Sequence, residues 1–240
     1  MIDIDNVFFS FESNEIKGFE RIRDLAIEQS FFPESSNNYQ FLDMTPDDSL
    51  WKLRKSLDAL PAEETMLQIE SRQAAKKYKK RICEVMDLRN ARKDAKNKVS
   101  KYVNEENSSK TELFEGVIKL KTKCLEELKK EVSVFFGQKC LIKGNFLYPK
   151  GGFRSWHTNK YDTPGWRMYI VNVDNPNQSF FRFKHPKNHE IYTHWEQSSC
   201  SVNFFRIDPE NILWHCIASL NTNRWSKGFL VSEDWMKKVL

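Results

Sequence analysis

Residues 202–231 read VNFFRIDPENILWHCIASLNTNRWSKGFLV, and this stretch decides the fold. Its three runs, 202–207, 211–219 and 224–231, are rich in the β-branched and aromatic residues that favour strands. Asp, Pro and Asn separate the runs, and the tripeptide NTN at 221–223 is a turn sequence. The last two runs are therefore predicted to pair as a hairpin.

The same pattern extends back to residue 137. Further β-prone runs lie at 146–148, 166–171 and 179–183, and Gly, Pro, Asn or Asp residues separate them. Many short strands at close spacing are typical of a β-sandwich or a β-barrel. Residues 137–240 are therefore predicted to form one β-domain.

The residues before 137 have a different character. Residues 62–103 contain no Gly or Pro, and their apolar positions recur at steps of three and four, which predicts one or two long amphipathic helices. A shorter helix is expected to begin at Thr45, and another to begin at Ser109 and end at Gly137. The first forty residues are expected to hold a short strand or two.

The sequence thus predicts an α+β fold with two parts. Residues 1–136 are expected to form a mainly helical region, and residues 137–240 a β-domain against which those helices pack. Residues 71–101 hold twelve Lys or Arg against three acidic residues. A basic helix of this kind suits contact with nucleic acid, anionic lipid or an acidic protein surface, although a solvated helix face is the commoner reason for such a charge run.

Composition narrows the class of protein. The five cysteines are odd in number and form no CxxC pair, which favours a reduced cytoplasmic protein over a disulfide framework or a zinc ribbon. The first residues carry acids and no basic segment, so they do not resemble a signal peptide. No apolar run approaches the roughly 20 residues that span a bilayer, so no membrane contact is expected.

The polar residues of the β-domain are predicted to converge on one cavity. His157 and Asn159 are two residues apart, so on a strand their side chains share a face. His215 lies in an otherwise apolar strand, and Arg224 and Ser226, again two apart, follow the predicted turn. Two imidazoles with a short oxygen donor suit a divalent first-row metal, and an arginine fork with a hydroxyl suits a carboxylate.

The order of these residues along the chain resembles that of a known enzyme family. A His with an oxygen donor two residues later, an aromatic strand, and then a distal His followed by Arg-x-Ser resembles the double-stranded β-helix (jelly-roll) core of the Fe(II)/2-oxoglutarate-dependent dioxygenases. The resemblance covers about residues 140–231. It implies that His157 and His215 bind Fe(II), and that Arg224 and Ser226 hold the distal carboxylate of the co-substrate 2-oxoglutarate. Tyr169 resembles a strand tyrosine that hydrogen-bonds this co-substrate in some members.

The implied third ligand departs from the family pattern. The family usually has Asp or Glu two residues after the first histidine, whereas this chain has Asn159. An amide oxygen can bind iron, but it compensates less of the metal's charge, so weaker binding is expected. Asn159 is favoured as the third ligand over Asp162 in the following loop, and over a water or halide in its place.

The resemblance implies an oxygenase that uses O₂ and 2-oxoglutarate and releases succinate and CO₂, most commonly with hydroxylation of a substrate. The alternative is a catalytically impaired binding or assembly module that contacts nucleic acid or a protein through its basic helices. The other three histidines, His185, His189 and His194, are expected to lie in a solvated loop rather than in a zinc site.

Overall fold

A computed structural model describes residues 1–30, 56–58, 66, 117–120 and 122–240. The helices expected from Thr45 and over 62–103, with the basic 71–101 segment, lie outside the described residues except at 56–58, which form a 3-10 turn, and at residue 66. So does the expected helix start at Ser109. Among the residues that the structure describes, no helix has the length and apolarity required to span a membrane.

Eleven strands and three α-helices make up the described part of the chain. The helices are α1 (Glu20–Glu28), α2 (Glu126–Phe136) and α3 (Met236–Val239). The strands are β1 (Ile2–Ile4), β2 (Phe8–Glu12), β3 (Ile118–Lys119), β4 (Leu141–Tyr148), β5 (Phe153–His157), β6 (Gly165–Val173), β7 (Ser179–Lys184), β8 (Ile191–Trp195), β9 (Cys200–Ile207), β10 (Trp214–Ser219) and β11 (Arg224–Leu230).

The strands form two antiparallel sheets. The larger sheet has the order β1-β2-β9-β6-β11-β4-β3, and the smaller has the order β5-β10-β7-β8. From β4 onward the chain passes back and forth between the sheets, with only β7 and β8 consecutive in one sheet. The predicted hairpin of the last two runs is therefore wrong, because the turn at 221–223 leads from β10 in the smaller sheet to β11 in the larger sheet. Strands β4 to β11 contribute four strands to each sheet, in the orders β9-β6-β11-β4 and β5-β10-β7-β8. Two facing sets of four strands in this order have the arrangement of a jelly roll, and the predicted β-sandwich is confirmed to that extent.

Apolar side chains fill the space between the sheets and cover both outer faces. The inner cluster comprises Phe8, Tyr148, Phe181, Phe183, Phe205, Ile207, Leu213 and Ile217. On the outer face of the larger sheet, α1 and α2 contribute Ile22, Leu128 and Val132 to a second cluster. On the outer face of the smaller sheet, Leu57 packs in a third cluster that includes Trp156. Burial of three apolar layers is the main stabilising contribution in such a fold.

The N-terminal residues join the β-core directly. Strand β1 pairs with β2, and β2 pairs with β9 at the edge of the larger sheet. The division at residue 136 stays a prediction, but within the described residues β1 and β2 belong to the same sheet as the C-terminal strands.

One helix differs from its expected course. Continuous helix was expected from Ser109 to Gly137, but residues 118–119 form β3, which pairs with β4 by placing Ile118 opposite Leu147. A 3-10 turn follows, and α2 begins only at Glu126. Pairing with a strand that follows later in the chain overrides the local helical pattern here. The helix ends as predicted, because Gly137 adopts the left-handed conformation (φ 67°) that closes a helix.

Candidate functional site

Two histidines from neighbouring strands form the centre of the site. His157 is the last residue of β5 and lies directly opposite His215 of β10, with their ring centroids 4.1 Å apart. His157 Nδ1 lies 2.8 Å from the carbonyl oxygen of Ser155, and His215 Nδ1 lies 3.0 Å from that of Leu213. A carbonyl can only accept, so each Nδ1 carries the hydrogen and each Nε2 carries a lone pair.

Both imidazoles are held in the neutral form that binds metals. Burial lowers the pKa of His157 well below its usual value, and the nearby charges of Arg154 and His215 lower it further. Burial likewise lowers the pKa of His215 to about 4. His157 Nε2 is buried and has no hydrogen-bond partner among the described residues. A buried polar atom without a partner is uncommon and marks a place where a ligand would be favourable.

Asn159 lies just beyond the end of β5 and lines the same cavity. Its amide nitrogen lies 3.5 Å from His215 Nε2. The backbone turns here, with Asp162 N donating to Asn159 O at 2.8 Å, and the Asp162 side chain is exposed. Of the two residues considered as third ligand, the structure brings Asn159 to the histidine pair and places Asp162 outside the cavity lining.

Arg224 and Ser226 share the cavity face of β11, and both are buried. Arg224 donates from Nε (3.1 Å) and Nη2 (2.8 Å) to Glu196 Oε1, an ion pair with side-chain exposures of 2% and 0%. Ser179 Oγ donates to the other oxygen of Glu196 at 2.8 Å. Arg224 Nη1 is buried and has no partner among the described residues. The end of the guanidinium formed by Nη1 and Nη2 can therefore still take a carboxylate.

Arg154 is a second guanidinium in the cavity, and the sequence pattern does not reveal it. It lies three positions before His157, so a regular strand would direct its side chain to the opposite face. The β5–β10 register shifts between His215 and Ile217, so that Ile217 pairs with Arg154. The extra residue of this β-bulge brings Arg154 to the cavity side. No carboxylate of the described part of the chain forms an ion pair with it, and its guanidinium lies over the Phe146 ring at 5.7 Å.

Tyr169 of β6 lies parallel to Phe205, with ring centroids 5.5 Å apart. Burial raises the pKa of its phenol to about 12, so the hydroxyl keeps its proton at neutral pH. Gly228 of β11 permits this position, since a Cβ there would lie 2.4 Å from the ring.

One cavity collects all six predicted site residues. Its empty space is about 380 Å³, which includes open solvent at the mouth. The residues predicted from sequence that line it are His157, Asn159, Tyr169, His215, Arg224 and Ser226. Those that the sequence pattern does not single out as ligand-binding are Phe146, Tyr148, Arg154, Phe181, Asn203, Phe205 and Ile217. Glu196 is also not predicted from the sequence, because it follows β8, a strand with few buried residues.

The other histidines differ in part from expectation. His185 and His194 are 3% and 6% exposed, so they are not in a solvated loop as predicted. His194 lies on β8 and packs on Phe8 with ring centroids 5.1 Å apart, whereas His189 is exposed. Among the described residues, no cluster of three His, Cys, Asp or Glu side chains could hold a metal ion. A metal at His157 and His215 would therefore need the Asn159 amide or water as third ligand.

No protein-family model and no curated protein matches the chain. Solved structures do show similarity. A prolyl-4-hydroxylase from Pseudomonas putida is 15% identical, with a TM-score of 0.31, over 48% of this chain and 68% of its own. An oxidoreductase of the 2OG-Fe(II) oxygenase family from Burkholderia pseudomallei is 14% identical, with a TM-score of 0.31, over 45% of this chain and 52% of its own.

A third similar structure is a prolyl hydroxylase from Trichoplax adhaerens in complex with a hypoxia inducible factor peptide fragment. It is 16% identical, with a TM-score of 0.29, over 49% of this chain and 56% of its own. The chain thus spans little more than half of the last two proteins. At these identities and TM-scores the similarity says nothing of this chain's activity, which has to be inferred from the cavity.

Proposed function

We propose that the chain is an iron(II)- and 2-oxoglutarate-dependent oxygenase that hydroxylates a substrate still to be identified. One observation carries this proposal: two neutral imidazoles and a guanidinium with a free donor edge line the same cavity. Imidazole nitrogens with an oxygen donor suit iron(II), and an arginine fork suits a carboxylate. The side chains of the cavity therefore fit both iron(II) and 2-oxoglutarate, and the neutral amide of Asn159 is the weakest of the metal ligands.

Each residue has a defined part in this proposal. His157, His215 and Asn159 would hold the iron, which supplies the oxidising chemistry when bound with O₂ and 2-oxoglutarate. Arg224 would bind the distal carboxylate through Nη1 and Nη2, and Ser226 would donate its hydroxyl to the same group. The protonated phenol of Tyr169 would donate a further hydrogen bond. The stacked rings around His215 would exclude water.

The direct test measures metal binding and turnover separately. Mn(II) binding is followed by electron paramagnetic resonance, and succinate formation from 2-oxoglutarate with Fe(II) is followed by mass spectrometry. His215→Ala should abolish both signals, because it removes one of two imidazole ligands. His189→Ala is the matched control, since that histidine is exposed and outside the cavity lining. Wild-type protein that neither binds Mn(II) nor forms succinate would contradict the proposal.

A binding module without turnover is the second candidate. The observation that favours it is the neutral Asn159 in place of an acidic ligand. Such a module would bind dicarboxylates in the cavity but would form no succinate with Fe(II) present. The same pair of measurements therefore separates the two functions.

A further inference from the structure

The charges of the cavity do not balance. Arg154 and Arg224 both contribute guanidiniums to its lining, whereas Glu196 is the one carboxylate among the described residues that pairs with either of them. Glu196 already accepts both hydrogen bonds from Arg224. The positive charge of Arg154 is thus left uncompensated in the described part of the chain before any ligand binds.

The two guanidiniums lie along one wall of the cavity. Arg154 lies over Phe146 at 5.7 Å, and Arg224 lies over Tyr148 at 5.4 Å, both to ring centroids. These two rings come from alternate residues of β4, and their centroids are 6.5 Å apart. The wall therefore presents two guanidiniums over neighbouring rings, an arrangement that suits a ligand with two anionic groups.

The two cations serve different parts of the cavity. Arg154 lies on β5, the strand that ends at His157, and pairs with Ile217, two residues beyond His215, which places it near the histidine pair. Arg224 instead lies on β11 of the other sheet, beside Glu196. A ligand whose one end lies at the histidines and whose other end reaches Arg224 would meet a cation at each end.

We propose that Arg154 is a second anion-binding residue and makes the cavity selective for dianions. One anionic group would bind at Arg154 beside the histidines, and the other at Arg224 Nη1 with Ser226. The inference rests on the proposed function in taking 2-oxoglutarate as the natural dianion. It adds that metal and dianion favour each other's binding, because the dianion supplies the negative charge that Asn159 lacks and offsets the repulsion between Arg154 and the metal.

The first experiment needs no metal. Calorimetry in EDTA compares glutarate with pentanoate, which has the same chain length and one carboxylate fewer. Wild-type protein should prefer glutarate at least about tenfold, which is the size of effect expected for one partly buried charge contact. Arg154→Gln should reduce that preference to about threefold or less, and Arg154→Lys should keep more of it because it keeps the charge. Arg206→Gln, an exposed arginine paired with Glu233, is the control and should change nothing.

The second experiment measures Mn(II) affinity by electron paramagnetic resonance with and without 2-oxoglutarate. Wild-type protein should bind Mn(II) at least about tenfold more tightly with the dianion, and Arg154→Gln should lose most of this coupling. Circular dichroism establishes that each variant is folded, and Arg154→Met, which also removes the charge, serves if the Gln variant is not. The inference is overturned if wild-type protein shows no preference for glutarate, or if Arg154→Gln binds both acids as wild-type does. Dianion binding that depends on Arg154 without any Mn(II) binding would instead uphold the selectivity for dianions and overturn both the coupling to metal and the proposed function.

Discussion

Asn159 illustrates how one side chain sets the character of the site. It lies within 3.5 Å of His215 Nε2 and presents an amide where a carboxylate would add a negative charge. A dication bound by two imidazoles and an amide keeps its full charge, and Arg154 adds another positive charge nearby. At the residue scale, the position of this donor was predictable from sequence, because alternate residues near a strand end share a face.

Asn159→Asp should strengthen metal binding, because a carboxylate would compensate one positive charge of the metal. We expect Mn(II) affinity without 2-oxoglutarate to rise by roughly tenfold or more, measured by electron paramagnetic resonance. Asn159→Ala is the comparison, and its affinity should not rise. If the Asp variant binds no more tightly than wild-type protein, residue 159 does not contact the metal.

Strand β11 shows how an element positions a site. Its alternate residues Arg224, Ser226 and Gly228 face the cavity, whereas Trp225 and Phe229 pack in hydrophobic clusters. The turn at 221–223 was predictable from sequence, but the hairpin expected from it was not formed, because β10 and β11 pair with other strands in different sheets. The need for a glycine at 228 was not predictable, because the ring that it accommodates belongs to β6, which pairs with β11 only in the folded sheet.

Gly228→Ala should displace the ring of Tyr169, since the new Cβ would lie 2.4 Å from it. We expect the free energy of unfolding to fall by about 1–3 kcal/mol, the usual range for overpacking, as measured by urea denaturation. In a Tyr169→Ala background the same substitution should have a much smaller effect. Equal losses in the two backgrounds would show that the ring is not what opposes the Cβ.

The ion pair between Glu196 and Arg224 joins the two sheets of the molecule. Glu196 follows β8 of the smaller sheet, Arg224 begins β11 of the larger sheet, and both side chains are almost fully buried. Such a pair contributes little net stability, but removal of one partner leaves an unpaired buried charge. Its placement depends on how the sheets stack, and for that reason the sequence pattern could not reveal it.

Glu196→Ala should lower the free energy of unfolding by about 3–5 kcal/mol, because Arg224 would remain charged and buried. The double variant with Arg224→Met should recover a large part of this loss. Urea denaturation of the wild-type protein, Glu196→Ala, Arg224→Met and the double variant measures the coupling energy between Glu196 and Arg224. A double variant as unstable as Glu196→Ala alone would argue against an unpaired charge as the cause.

Lys227 occupies the interface between the larger sheet and α1. Its ammonium donates to Ser30 Oγ at 2.7 Å and to Asn172 Oδ1 at 3.4 Å, and it is fully buried. Burial lowers its pKa to about 8, and the titratable groups that act on it are the thiols of Cys200 and Cys124. In the unfolded chain the pKa of this lysine is about 10.4. As pH rises, Lys227 therefore loses its proton in the folded state before it would in the unfolded state. The contribution of Lys227 to the free energy of unfolding is therefore lowest below pH 8 and increases toward pH 10.

Lys227→Met should remove this pH dependence. The free energy of unfolding of wild-type protein should gain about 2 kcal/mol relative to the Met variant between pH 7.5 and pH 10, measured by urea denaturation at both values. Lys139→Met, which alters an exposed lysine, is the control and should run parallel to wild-type protein. A difference between Lys227→Met and wild-type protein that does not change with pH would mean that Lys227 titrates normally.

The sequence by itself determined the β-rich core, the turn at 221–223, and six residues that line the cavity: His157, Asn159, Tyr169, His215, Arg224 and Ser226. These follow from strand periodicity, turn chemistry and a motif order, all of which can be read along the chain. Tertiary structure alone decided three features: the bulge that turns Arg154 inward, the pairing of Glu196 with Arg224, and the strand β3 in place of helix. Each depends on register or stacking between segments distant in sequence, and local propensity carries no information about those contacts.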